Sequence, residues 1–134
     1  MANKVIQMRL VVEAEDLESA VEFYRDVLGL EESLFVESEG GARVHVLEAG
    51  RATLELINPA QRRLIDQLEV GEEVSRQIRV AFEVSDSAGV TDELSEAGAE
   101  VLAPPTETPW HSLNARLEGP AGLQLTIFEQ LEPE

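Results

Sequence analysis

The residues best suited to chemistry occur in pairs that are 70 or 71 positions apart. Three such pairs join Arg9 to Arg79, Glu55 to Thr126, and His45 to Arg116. Arginine can bind a carboxylate, phosphate or enolate oxygen through two parallel N–H donors. A carboxylate or a histidine can accept a proton near neutral pH when its surroundings adjust its pKa. The strands and helices that carry these residues decide which of them lie close enough together to act in one site.

Composition excludes several classes of function. The chain has 134 residues, of which 43% are hydrophobic and 28% charged, and this indicates one packed domain. Its net charge of −17 argues against nucleic acid and anionic membranes as partners. The absence of cysteine excludes disulfides and thiolate chemistry. No apolar run reaches the ~18 residues of a membrane span, and the N-terminus lacks the pattern of a signal peptide, so we expect a cytoplasmic protein.

The pattern of polar and apolar residues predicts a strand, a helix and three further strands. Residues 5–13 alternate in polarity, which is typical of a strand. Asp16 is placed to cap a helix that Gly29 ends. The three following strands are predicted at 31–38, 42–49 and 52–57, with glycine-containing turns between them.

The same order of elements recurs after a linker that contains a short helix from Ala60 to Leu68. In this second half, Asp86 takes the place of Asp16, also at an offset of 70. A near-constant offset along the chain indicates an internal duplication. We therefore predict a single domain over 1–134, with one βαβββ unit at about 4–58, a linker at about 59–75 and a second unit at about 76–130.

Two motifs carry a resemblance to a known family. Residues 15–30 read EDLESAVEFYRDVLGL and match the pattern D-L-x-x-S/A-x-x-F-Y-x-x-V-L-G. Residues 119–129 read GPAGLQLTIFE and follow a D-P-x-G-x-x-x-x-L-x-E ending in which glycine replaces the aspartate. In these motifs the chain resembles the glyoxalase/bleomycin-resistance/extradiol dioxygenase (vicinal oxygen chelate) superfamily, and the resemblance covers nearly the whole sequence.

The resemblance implies an α+β fold in which two tandem βαβββ units curl a mixed sheet into a cup. It also implies a homodimer. Metal-dependent members of the superfamily carry one ligand in the first and one in the last strand of each unit. These positions correspond here to Arg9, Glu55, Arg79 and Thr126.

This set of residues argues against a metal centre. Arginine offers no free lone pair, and a catalytic metal needs about three good protein ligands. Glu55 is the one credible ligand, so we expect no metal and no other cofactor, with a divalent metal as the alternative. An alignment shifted by two residues would bring Gln7 and Gln77 to the site instead.

Under the same resemblance, the strand faces opposite the helices line the cup. The candidate ligand-binding residues are then Arg9, Arg79, Glu55, Thr126, Gln124, Arg116, Trp110 and His111. Glu55 and His45 are the candidate catalytic residues. Each has a structural alternative: an ion-pair network for the charged cluster, a hydrogen-bonded core histidine for His45, and a plug or dimer contact for Trp110. Phe23 and Tyr24 are predicted to lie in the core.

The function predicted from these observations is metal-independent binding of a small molecule, with drug resistance or sequestration as the role. The ligand is expected to be anionic or aromatic, because the central arginines disfavour a cation and Trp110 offers a flat face for stacking. The alternative is an enzyme of the glyoxalase kind, a lyase, isomerase or dioxygenase with a non-standard metal site. A third hypothesis is an accessory protein that acts through its dimer surface.

Overall fold

The computed structural model describes residues 4–132, and over this range the chain forms eight strands and three α-helices. In chain order the elements are β1 (Val5–Glu13), α1 (Leu17–Val21), β2 (Glu32–Glu37), β3 (Arg43–Ala49), β4 (Ala52–Ile57), α2 (Pro59–Glu69), β5 (Ile78–Val84), α3 (Ser87–Glu96), β6 (Glu100–Glu107), β7 (Ser112–Glu118) and β8 (Gln124–Gln130). The order of strand, helix and three strands occurs twice, with α2 between. The predicted α+β fold is confirmed.

All eight strands form one curved sheet in the order β2-β3-β4-β1-β5-β8-β7-β6. β1 and β5 pair in antiparallel fashion at its centre. Each pairs on its other side with the last strand of its own half, β1 with β4 and β5 with β8, in parallel. The two halves of the sheet therefore repeat one pairing scheme about the β1–β5 contact.

The convex face of the sheet is covered by α1 and α3. Leu17 and Val21 of α1 pack against buried Leu56 of the first half, and α3 covers the equivalent cluster of the second half. Both helices begin at the predicted caps: the carboxylate of Asp16 accepts a hydrogen bond from a backbone N–H three residues on, and so does that of Asp86.

The helix after Asp16 departs from the prediction at its second turn. Residues Glu22–Val27 form a π-helical segment, closed by a bond from the Leu28 N–H to the carbonyl of Phe23. The wider turn rotates the following side chains away from the positions of a regular α-helix. Tyr24 still packs against the α1 cluster, but Phe23 is 57% exposed. The prediction that Phe23 lies in the core is wrong, because Phe23 is not on the helix face of Leu17, Val21 and Tyr24 that packs against the sheet.

The segment predicted as a linker contains α2, which crosses the concave face of the sheet. At its N-terminus, Asn58 accepts bonds from the N–H groups of Gln61 and Arg43 and donates one to the carbonyl of Gly41. At its C-terminal end, Glu69 bonds the side chain of Asn114 on β7. The helix thus spans the cup from β3 to β7. No helix within residues 4–132 is long and apolar enough to cross a membrane.

Candidate functional site

A cavity of about 750 Å³ lies between the concave face of the sheet and α2. Its polar floor contains Arg9 from β1, Glu55 from β4, Arg79 from β5 and Thr126 from β8. These are the four positions that the family resemblance indicated. The structure brings all four to one cavity.

The strand register explains why these side chains share a face. Val11 of β1 lies opposite Glu55 on one side and opposite Arg79 on the other. Directly opposed residues on neighbouring strands point to the same face of a sheet. Glu55 and Arg79 therefore point into the same cavity. Their backbones are two strand spacings apart, about 10 Å, and Val11 lies between them.

Arg79 is a buried cation on the cavity floor, with 8% of its surface exposed. Its Nη1 donates to Thr126 Oγ1 at 2.6 Å. Burial, together with the charge of Arg116, lowers the pKa of Arg79, and nearby carboxylates including Glu69 oppose this shift. No carboxylate among residues 4–132 forms an ion pair with it. Most of its N–H donors are therefore free to bind a ligand.

Arg9 is held beside Arg79 by neutral groups. Its guanidinium lies 4.9 Å from the centroid of the Phe128 ring, a distance that allows a cation–π interaction. Its Nε donates to Gln7 Oε1 at 3.4 Å, and Gln7 in turn donates to Glu83. Within the described chain Arg9 also lacks an ion pair, so the floor carries two guanidinium groups whose charge is not directly neutralised.

Glu55 is the carboxylate that faces these two cations. Burial raises the pKa of Glu55, while the charges of Arg79 and Arg9 act in the opposite direction. Within residues 4–132 its side chain has no hydrogen-bond partner, although it lines the cavity. A carboxylate of raised pKa that is free of protein partners is suited to accept a proton from a bound molecule.

The loop before β7 forms one wall of the cavity. Trp110, which is 47% exposed, and His111 both line the cavity, as the sequence analysis expected. His111 has a φ of +63°, a left-handed conformation that a non-glycine residue adopts only when its neighbours hold it there. Two contacts supply that restraint: Thr108 Oγ1 accepts from the N–H of Ser112, and the carbonyl of His111 accepts from Leu131.

Apolar side chains complete the cavity on the side of the first half-sheet and on its roof. The walls from β1 to β4 are formed by Val11, Leu34, Val36, Val44, Val46 and Ile57. The roof consists of Leu64, Ile65 and Leu68 on α2. The sequence analysis did not assign these residues to a site. Their i, i+1 and i+4 spacing was visible in the segment interpreted as a linker, and it is the pattern of an amphipathic helix.

His45 lies outside the cavity, contrary to the prediction. In β3 it pairs with Leu56, whereas its neighbour Val46 pairs with Glu55 and lines the cavity. Side chains alternate between faces, so His45 points to the convex side, where its Nδ1 contacts a carboxylate oxygen of Glu32. The repeat offset at this strand is one residue shorter than the sequence comparison assumed.

Arg116 and Gln124 also lie outside the cavity lining, although both are on the concave face. Arg116 is fully buried under α2, where its guanidinium donates to Asp66 Oδ1 at 3.1 Å and to Glu69 Oε1 at 2.7 Å. Gln124 donates to the carbonyl of Val74 and accepts from Arg116. The acidic face of α2 thus fills the cup over the second half-sheet. Arg116 holds this helix, and Gln124 holds the segment that follows it.

The donor set of the floor does not fit a divalent metal ion. Arg9 and Arg79 repel a cation and have no lone pair to offer, and the Thr126 hydroxyl already accepts from Arg79. Residues 4–132 contain no group of three or more His, Cys, Asp or Glu side chains that could hold a metal. Gln7 and Gln77, the alternative pair, are absent from the lining of the cavity.

Both the sequence and the fold of this chain were compared with those of known proteins. The model of the family described as Glyoxalase/Bleomycin resistance protein/Dioxygenase superfamily matches residues 8–127. No curated protein matches the chain.

Several solved structures share the fold over almost the whole chain. A hypothetical protein from Bacillus halodurans C-125 is 18% identical, with a TM-score of 0.68 and coverage of 100% of this chain and 99% of that one. A methylmalonyl-CoA epimerase variant of Streptomyces coelicolor, in complex with 2-nitronate-propionyl-CoA, is 22% identical, with a TM-score of 0.65 and coverage of 97% and 99%. The methylmalonyl-CoA epimerase of Mycobacterium tuberculosis is 18% identical, with a TM-score of 0.66 and coverage of 98% and 94%. At these identities the likeness concerns the fold.

Proposed function

We propose that this chain, which belongs to the glyoxalase/bleomycin resistance protein/dioxygenase superfamily, binds a small organic anion in its cup without a metal ion. The observation that supports the proposal is the pair Arg9 and Arg79, two guanidinium groups on the cavity floor without an ion pair to any described carboxylate. Glu55 acts on both charges at a distance and Glu69 on that of Arg79, and neither carboxylate forms an ion pair with these two arginines.

Arg9 and Arg79 differ from most of the other arginines, since the remaining ones without an ion pair in residues 4–132, Arg51 and Arg63, are exposed. The protein carries 27 acidic residues against 10 basic ones, so carboxylates are abundant partners. Among the described residues, five arginines form ion pairs: Arg25, Arg43, Arg62, Arg76 and Arg116. A buried cation without a partner is unfavourable. A ligand carboxylate bound to Arg79 and Arg9 would remove that penalty through charge-assisted hydrogen bonds.

The remainder of the cavity suits an apolar body. Valine, leucine and isoleucine side chains form the walls of the first half-sheet and the roof, and Trp110 offers an aromatic face at the rim. We therefore propose carboxylic acids with an aliphatic or aromatic body as the ligand class, and sequestration or resistance as the role. A cytoplasmic homodimer remains part of the same hypothesis, on the grounds of family resemblance and composition.

Arg9→Met and Arg79→Met are each expected to weaken the binding of an apolar carboxylate by about tenfold, equivalent to about 1.4 kcal/mol. Methionine keeps an unbranched apolar stem while removing the guanidinium group and its charge. Binding of octanoate, benzoate and 3-phenylpropanoate to the purified protein would be measured by isothermal titration calorimetry.

Arg63→Met provides the matched control, because it removes one positive charge from an exposed position on α2. It is expected to leave the dissociation constants unchanged. If Arg9→Met and Arg79→Met also leave them unchanged, or if no acid in the panel binds, the proposed anion site is wrong.

Addition of Zn²⁺, Ni²⁺, Mn²⁺ or Fe²⁺ is expected to leave the melting temperature of the protein unchanged. A ligand that binds only the folded state raises the melting temperature as its concentration increases. A thermal-shift titration, combined with elemental analysis of the purified protein, measures this directly. Stoichiometric metal, or a metal-dependent rise that Glu55→Gln abolishes, would contradict metal-independent binding.

A second candidate function is proton abstraction from a carbon next to a carbonyl group, and the environment of Glu55 favours it. The Glu55 carboxylate would take the proton, and the electrons of the broken C–H bond would move to the carbonyl oxygen. Arg9 and Arg79 would stabilise the resulting enolate oxygen. Two of the similar structures are named methylmalonyl-CoA epimerases. Methylmalonyl-CoA is therefore the first substrate to test, by hydrogen–deuterium exchange at its α-carbon in D₂O.

A further inference from the structure

A polar side chain, Gln61, lies at the N-terminal end of the apolar roof of the cavity. Gln61, Leu64, Ile65 and Leu68 occur at the i, i+3, i+4 and i+7 positions of α2, and all four line the cavity. Gln61 is 7% exposed, and its Oε1 has no hydrogen-bond partner among the described residues. The bond from its backbone N–H to Asn58 belongs to the helix cap and leaves the side chain free.

A buried, unpartnered amide oxygen is unfavourable, since it has lost its bonds to water without gaining others. The terminal torsion of a glutamine side chain is broad. The carboxamide can therefore turn toward the cavity without leaving its rotamer. Gln61 is thus available to a hydrogen-bonding group that enters the cavity.

The two ends of α2 lie over different parts of the cavity. Gln61 and Glu69 are eight residues apart, and this corresponds to about 12 Å along the helix axis. The Glu69 end lies over the second half-sheet, bonded to Asn114 and Arg116, and is close enough to Arg79 to affect its pKa. The Gln61 end lies over β3, near the apolar walls of the first half-sheet.

We infer that Gln61 is a specificity-determining residue that binds a second polar group of the ligand. The ligand would then be an amphipathic acid whose anionic group binds Arg9 and Arg79. Its apolar body would contact the α2 roof, and a hydroxyl or similar group up to about 12 Å from the acid would bond Gln61. This inference rests on the proposed function, because it assumes that the arginines hold the anion.

Octanoate and 8-hydroxyoctanoate form a matched pair of probes that differ by one hydroxyl group. Their binding would be measured by calorimetry on the unmodified protein and on Gln61→Met, a substitution of similar volume and helix propensity. We expect 8-hydroxyoctanoate to bind the unmodified protein about tenfold more tightly than octanoate does. In Gln61→Met this advantage should disappear, while the affinity for octanoate is retained. Gln61→Leu, checked for folding by circular dichroism, serves as a second variant.

The outcomes separate this inference from the proposed function. If octanoate binds and depends on Arg9 and Arg79, but the hydroxyl group adds nothing, the role of Gln61 is wrong and the anion site stands. The same conclusion follows if the advantage of the hydroxyl persists in both Gln61 variants. If neither acid binds, or if binding is indifferent to both arginines, the proposed function itself fails.

Discussion

Arg116→Met is expected to lower the free energy of unfolding by about 3–5 kcal/mol, the range seen when one partner of a buried ion pair is removed. Arg116 is fully buried, and its guanidinium bonds both Asp66 and Glu69 on α2. Without it, buried Glu69 loses its ion-pair partner, and buried Asp66 keeps only Arg62, at 3.7 Å. Urea unfolding at pH 7, followed by circular dichroism, measures the loss.

The control for this prediction is Arg76→Met. Arg76 is half exposed and pairs with Glu118 at 2.8 Å, so its loss should change the free energy of unfolding by less than about 1 kcal/mol. A comparable loss in both variants would mean that burial of the Arg116 pair is not the source of the effect.

The pH dependence of the Arg116→Met effect provides a second check. Burial alone would raise the pKa of Asp66, but bonds from Ser75 and Arg116 outweigh it and hold the pKa below the ordinary value of 3.8. A depressed pKa stabilises the fold at higher pH, and this stabilisation is lost as the pH falls below 3.8. The difference between the protein and its variant should therefore shrink on acidification. A difference that stays constant would point to lost packing instead.

Glu55→Gln has the largest expected effect on chemistry, if the chain catalyses proton abstraction. Loss of a general base typically reduces the rate by about 10²–10⁴-fold. Mass spectrometry of methylmalonyl-CoA incubated in D₂O measures the exchange. Glu96→Gln removes an exposed carboxylate on α3, outside the cavity lining, and is the control expected to leave exchange unchanged. If Glu55→Gln exchanges hydrogen as fast as the unmodified protein does, the general base is another residue. If the unmodified protein shows no exchange, binding is left as the function.

Glu55→Gln should also stabilise the protein near neutral pH. Because burial raises the pKa of Glu55, its charged form is less favourable in the folded chain than in the unfolded one. Removal of that charge increases the free energy of unfolding at pH 7. The gain should shrink as the pH falls below the raised pKa and be gone below the ordinary value of 4.5, where the carboxyl is protonated in both the folded and the unfolded chain. Urea unfolding at several pH values tests the sign.

Local patterns in the sequence determined most of the architecture. Asp16 and Asp86 predict the starts of the two helices on the convex face, because a helix cap needs only a side chain and a backbone N–H three residues away. Alternation of side chains placed Arg9 and Arg79 on strand faces, and the family resemblance placed Glu55 and Thr126 with them. The structure gathers these four around one cavity; that they bind a ligand remains a prediction.

Tertiary structure decided where the two halves of the cup differ. A shift of one residue in the β3 register sends His45 to the convex face and Val46 to the cavity, and no local pattern distinguishes the two. The path of α2 depends on the bond between Arg116 and Asp66, which lie 50 residues apart. That pairing fills the second half of the cup and leaves the first half open. Residues so far apart in the chain meet only in the assembled tertiary structure. For this reason the sequence alone indicated the polar floor of the site but not its roof.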